Sequence, residues 1–179
     1  MSDRAEAGYT GIARLFHWST AVVVLLMLAI GIVMANLDLG PAQGMLYHLH
    51  RSLGVALLPL VLARLLYRMR HPPPPLPASV SPGQRRIARL THWALYGLLL
   101  LQALVGWIAT SAYRAPILVF WLVELPPIWP EDRPFSESLF AVHRVLGLAL
   151  LGLIALHVGA ALFHHFVLKD DVIRRMVRG

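Results

Sequence analysis

Four long apolar runs, charged only near their edges, occupy most of the chain: residues 12–36, 45–67, 87–112 and 136–168. A helix of about 20 apolar residues crosses the roughly 30 Å hydrocarbon layer of a bilayer. Each run exceeds that length, so the pattern predicts an all-α membrane protein with four transmembrane helices. Short connections favour an up-down-up-down bundle, and residues 1–179 read as one membrane domain. The first run is longer than the apolar core of a signal peptide and lacks a small-residue cleavage site after it, so it is read as a retained span.

Polar residues between the runs set the connections. "HPPPPLPASVSPG" is a stiff polyproline-like link between the second and third spans. "PILVFWLVELPPIWPED", between the third and fourth, is expected to form a short helix lying flat at the outer interface, with Trp121 and Trp129 at headgroup level. Pro59 falls inside the second span, where it is expected to kink the helix.

Composition agrees with a lipid solvent: 58% of residues are hydrophobic and 14% charged, where soluble domains carry about 25% charged residues. The net charge of +7 would suit nucleic acid if it were clustered on one surface. It is instead partitioned. Arg4, Arg14, Arg64, Arg68, Arg70, Arg85, Arg86, Arg89, Lys169, Arg174, Arg175 and Arg178 are 12 of the 16 basic residues, assigned to the termini and the link between spans two and three. The positive-inside rule then places both termini in the cytoplasm. Nucleic acid is excluded as a partner; membrane lipids are implied. There is no cysteine, which removes disulfides, thiolate-held clusters and covalent haem attachment.

Two histidine phrases occur twice: "RLFHW" with "RLTHW", and "HRSLG" with "HRVLG". His17 and His92 open the outward spans, while His50 and His143 open the inward ones. The first and second halves therefore read as a parallel repeat, with Trp18 and Trp93 as matched belt residues. In the fourth span His143, His157 and His164 make one stripe, His143 and His157 being about 21 Å apart along the axis and within about 40° in azimuth. Intramembrane histidines at two depths suit axial ligation of two b-type haems. At the outer level His50 is the partner for His143, because His48 points about 200° away. At the inner level two pairings remain open, His17 with His157 or His17 with His92. Gly54 and Gly147, one turn beyond the outer ligands, would let a flat macrocycle approach. Gly31, Gly106, Gly152 and Gly159 are expected at close helix or cofactor contacts. His48, His71 and His165 are expected to face solvent or headgroups.

"RLFHW", "LHRSLG", "RLTHWALYG", "HRVLGLALLGLIALHVGAALFHHF" and "LKDDVIRRM" together resemble the bacterial cytochrome b561 family, in order and over nearly the whole chain. The resemblance implies a multi-pass protein of the bacterial inner membrane with two haem b groups. It implies that haem iron is held by His17 with His157 and by His50 with His143. It associates His92 and His164 with a quinone, ubiquinone being the substrate, near the cytoplasmic side. Superoxide:ubiquinone oxidoreductase activity is implied for at least some members. Arg51, Arg114 and Arg144 would form an outer positive patch that holds haem propionates or draws in an anion such as superoxide. No carboxylate lies in the apolar centres and no nucleotide-binding motif is present, which leaves a quinone as the lipid-soluble acceptor. The alternative from another class is a cytochrome b anchor subunit that passes electrons between a dehydrogenase or hydrogenase and the quinone pool. No residue is assigned to catalysis beyond cofactor binding, and a homo-oligomer is compatible with the sequence.

Overall fold

Each long helix starts where a side chain can serve the amides that a helix leaves unpaired. In the computed structural model, which describes residues 8–77 and 79–179, Thr10 Oγ1 accepts from the Ala13 amide at 3.2 Å and α1 spans Gly11–Asn36. After a short turn at Pro41, α2 spans Ala42–Arg70. Ser81 and Gln84 form a reciprocal capping box at the head of α3, Pro82–Tyr113. Asp132 caps α4, Arg133–Phe163, by accepting from the Phe135 amide at 3.0 Å. A single π-helical turn, His164–Leu168, continues α4, and a short α5 spans Val172–Val177.

The four predicted spans are all present, and all four are long and apolar enough to cross a membrane. The helices outrun the apolar runs because their polar ends remain helical; α3 starts five residues before residue 87. Pro59 is accommodated inside α2 without ending it. Sequential neighbours pack together, α1 on α2, α2 on α3 and α3 on α4. The buried core is narrow and is built from Val24, Leu57, Val61, Tyr96, Leu99 and Leu150. Most other apolar side chains point outward, Leu156 being 70% exposed. In water that arrangement would forfeit most of the hydrophobic stabilisation; in hydrocarbon it costs nothing.

The connection between α3 and α4 departs from expectation. Instead of a flat helix it forms an antiparallel hairpin, β1 (Ile117–Val119) against β2 (Val123–Leu125). The physical reason is local. Pro116, Pro126 and Pro127 bracket the segment, and β-branched residues fill it. Phe120 and Trp121 turn the chain with φ of 46° and 61°, the left-handed pair that a tight hairpin requires. Ser52, 1% exposed on α2, holds this turn: its hydroxyl accepts from the Phe120 amide at 2.9 Å and donates to the Leu118 carbonyl at 3.3 Å. Arg51 donates to the Pro116 carbonyl beside it. The hairpin is thus docked onto the same turn of α2 that carries His50.

The opposite end of the bundle gathers the two ends of the chain. The Tyr9 amide donates to the Arg175 carbonyl at 3.2 Å, Arg14 Nη1 to Val177 O at 3.0 Å, and Trp18 Nε1 to Met176 O at 3.2 Å. The expected position of Arg4 falls outside the described residues.

Candidate functional site

α2 and α4 bring His50 and His143 face to face near the hairpin end, with ring centres 6.1 Å apart and planes at 79°. α1 and α4 do the same with His17 and His157 near the terminal end, at 6.4 Å and 63°. Two imidazoles facing each other across one metal, through bonds of about 2 Å, have ring centres roughly 6.3 Å apart. Both pairs match that spacing. His92, on α3, also packs against His157, with ring centres 5.5 Å apart.

The surroundings of the His50–His143 pair fit a cofactor as well. His50 Nδ1, His143 Nδ1, Gln102 Oε1 and Trp107 Nε1 are buried without a hydrogen-bond partner. Each ring lies on a glycine of the neighbouring helix. A Cβ at Gly31 would meet His50 Cε1 at 3.3 Å, and one at Gly106 would meet His143 Cε1 at 3.0 Å. Met27 and Gln102, Gly31 and Gly106, and His17 and His92 all recur at the same 75-residue interval, so the two halves hold their imidazoles by the same device. The surroundings of the His50–His143 pair therefore fit a cofactor held between two imidazoles.

Other expected positions resolve differently. Gly54 and Gly147 do not open a free face: their Cα atoms are covered by the side chains of Met27 and Gln102, at 3.5 and 3.2 Å from a built Cβ. Gly152 and Gly159 have open space beside them. His48 is half-buried; its ring packs 6.2 Å from Trp121 and its Nδ1 is buried. His71 stacks on Tyr67 at 4.2 Å, and His165 is exposed beside Phe166. Of the outer arginines, Arg51 is tied to Pro116 O, Arg114 lies 3.7 Å from Glu131, and Arg144 is exposed.

Two residues were missed from the sequence. Arg64 was grouped with the basic connection, but it lies within α2, and its Nη2 is 2.9 Å from His17 Nδ1. The repeat carried a signal for it: Arg64 and His157 are separated by the same 93 residues as His50 and His143. Asp170 was read as part of the tail, but its carboxylate pairs with His164 Nδ1 at 2.5 Å. His164 is therefore engaged by Asp170, while His92 is engaged by His157.

Comparison with known proteins identifies the family. A family model described as prokaryotic cytochrome b561 matches residues 8–179. The chain belongs to that family. It is 36% identical over 174 residues to cytochrome b561 homolog 2 of Escherichia coli strain K12, covering 94% of this chain and 90% of the relative. It is 32% identical over 129 residues to a protein of Yersinia pestis named probable superoxide oxidase CybB, covering 72% and 73%. Cytochrome b562 of Cereibacter sphaeroides is 30% identical over 179 residues, with 97% of each covered. This cytochrome b561 is thus a multi-pass protein of the bacterial inner membrane, of oxidoreductase type, that uses b-type haem for transmembrane electron transfer.

Proposed function

We propose that this cytochrome b561 moves single electrons from superoxide, at the hairpin end of the bundle, to ubiquinone, at the end where the chain termini meet. His50 with His143, and His17 with His157, would hold two haem b groups. The observation that carries this reading is the presence of two imidazole pairs at metal-sharing distance, at two depths of one bundle. The similarity to the Yersinia pestis protein supports the choice of superoxide. The basic residues at the terminal end support placing that end in the cytoplasm.

Bound haem supplies reversible one-electron chemistry at iron. The protein's own residues do the rest. His50 and His143 would together hold the outer haem, which would supply one-electron exchange with the donor. Arg51 and Arg144 follow the two outer histidines directly; Arg51 is half-buried and Arg144 exposed, and their positive charge would raise the local concentration of a small anion. Each superoxide loses one electron and leaves as dioxygen; two superoxide, one ubiquinone and two protons yield two dioxygen and one ubiquinol. His92 and His164 would hydrogen-bond the quinone carbonyls, with the His164–Asp170 pair delivering protons from the cytoplasmic side.

Rapid mixing of the purified haem protein with superoxide and a soluble ubiquinone analogue tests the proposal. Haem reduction well above the superoxide-free rate, with one quinol per two superoxide, is expected. Haems that respond only to a co-purifying dehydrogenase or hydrogenase would replace superoxide with that partner and make the protein its membrane anchor.

A further inference from the structure

A cleft at the terminal end of the bundle is lined by Tyr9, His17, Arg64, Tyr67, Arg68 and Tyr96. Arg64 and Arg68 lie one helical turn apart on α2, both partly buried, and both guanidinium groups approach the same buried Tyr96 ring, at 5.3 and 5.9 Å. Among the described residues neither has a carboxylate partner. Two neighbouring cations that share one aromatic face inside a membrane domain are costly without an anion. Burial holds the Tyr9 phenol above its ordinary range, so it remains a neutral hydroxyl in the same cleft.

The contact between Arg64 and His17 sharpens the point. A guanidinium has donors only, so the 2.9 Å contact from Arg64 Nη2 makes His17 Nδ1 an acceptor and puts the ring proton on Nε2. Ligation through Nε2 requires that proton to be absent there, and a neutral ring then carries it on Nδ1. Two N–H groups would face each other, and the bond to Arg64 could not persist. Loading of the His17–His157 site therefore releases a cation into a cleft that already holds another.

We propose that Arg64 and Arg68 form a carboxylate-binding site for the propionates of the cofactor held by His17 and His157. The inference rests on the two-haem reading above and extends it to a part of the pocket that the histidines do not account for. Paired arginines suit the group, since planar guanidinium forks bind carboxylates through two parallel hydrogen bonds. Their positive charge also disfavours the oxidised, more positive iron, so the pair sets the potential of the inner haem above what the same ligands would give alone.

The test uses the purified haem protein in nanodiscs, as wild type, Arg64→Gln, Arg64→Lys, Arg68→Gln and His17→Ala. Redox titration and resonance Raman of the propionate bending region are the readouts. In Arg64→Gln the His17-dependent haem is expected to become harder to reduce by about tenfold, close to 59 mV for one electron. Its propionate band should shift, while the His50–His143 haem stays put. Arg68→Gln should act in the same direction and Arg64→Lys should recover most of the loss. A potential change in Arg64→Gln with an unmoved propionate band, or a silent Arg68→Gln, would overturn the proposal and leave Arg64 as a partner of His17 alone. If Arg64→Gln is isolated without that haem, the band in Arg68→Gln decides in the same way. Effects confined to discs containing anionic lipid would assign the arginines to a headgroup and also overturn it. His17→Ala separates the two levels of the argument: if it retains both haems, the haem reading fails, whereas loss of one haem beside a silent Arg64→Gln removes only the carboxylate site.

Discussion

His164 Nδ1 and Asp170 Oδ2 lie 2.5 Å apart, with side chains only 14% and 7% exposed. The chain achieves this over six residues by widening α4 into a π-helical turn and then reversing at Lys169, whose φ is 54°. The Asp170 amide donates to the His164 carbonyl at 3.2 Å, and the second carboxylate oxygen accepts from the Val172 amide at 3.1 Å. Both oxygens are thus used, and the imidazole is oriented with Nε2 left for another partner. Isolated π turns are characteristic of functional positions, where they re-aim a side chain at some cost in regular hydrogen bonding.

That arrangement makes Asp170→Asn informative. The amide preserves shape but removes the charge that orients and supports a proton-carrying imidazole. Oxidation of pre-reduced protein by a ubiquinone analogue should slow by about 100-fold, the lower end for loss of acid–base assistance. Haem content and the reduced optical spectrum should match wild type. Unchanged quinone kinetics would remove the pair from proton delivery.

Mutation separates the two inner pairings. His17 and His157 sit 6.4 Å apart, whereas His92 and His157 sit at 5.5 Å. His17→Ala is expected to lose one haem of two by pyridine haemochrome assay, and His92→Ala to retain both. The opposite result would make His92 the ligand.

The glycines under the outer ligands predict a graded effect. A methyl at Gly106 would fall 3.0 Å from the His143 ring, and one at Gly31 3.3 Å from the His50 ring. Gly106→Ala should therefore lose most of the His50–His143 haem, and Gly31→Ala should retain more of it. Haem per protein, together with the number of redox transitions, measures this directly.

Ser52→Ala tests the hairpin. It removes two hydrogen bonds and leaves the Phe120 amide without its acceptor at a left-handed turn. A loss of about 1–3 kcal/mol is expected, seen as a lower thermal midpoint in detergent. Because the hairpin also packs on the turn that carries His50, the outer haem should be lost before the inner one on heating.

The sequence alone determined the spans, their antiparallel order and the depth of every histidine. Those properties depend on one helix at a time: apolar length sets crossing, and a fixed rise and rotation per residue set the height and azimuth of His143, His157 and His164. It also exposed the internal repeat, whose constant intervals the contacts on Gly31 and Gly106 follow. Only the tertiary structure decided which residues meet across helices. Helix packing brings both His17 and His92 against His157 and turns Arg64 inward to His17. The hairpin needed Ser52, which is 66 residues from Leu118 in sequence. Asp170 reaches His164 because a π turn breaks the regular period that a sequence reading assumes. Periodicity propagates along a helix with little error, but contacts between helices depend on packing and on side chains distant in sequence, which no local pattern encodes.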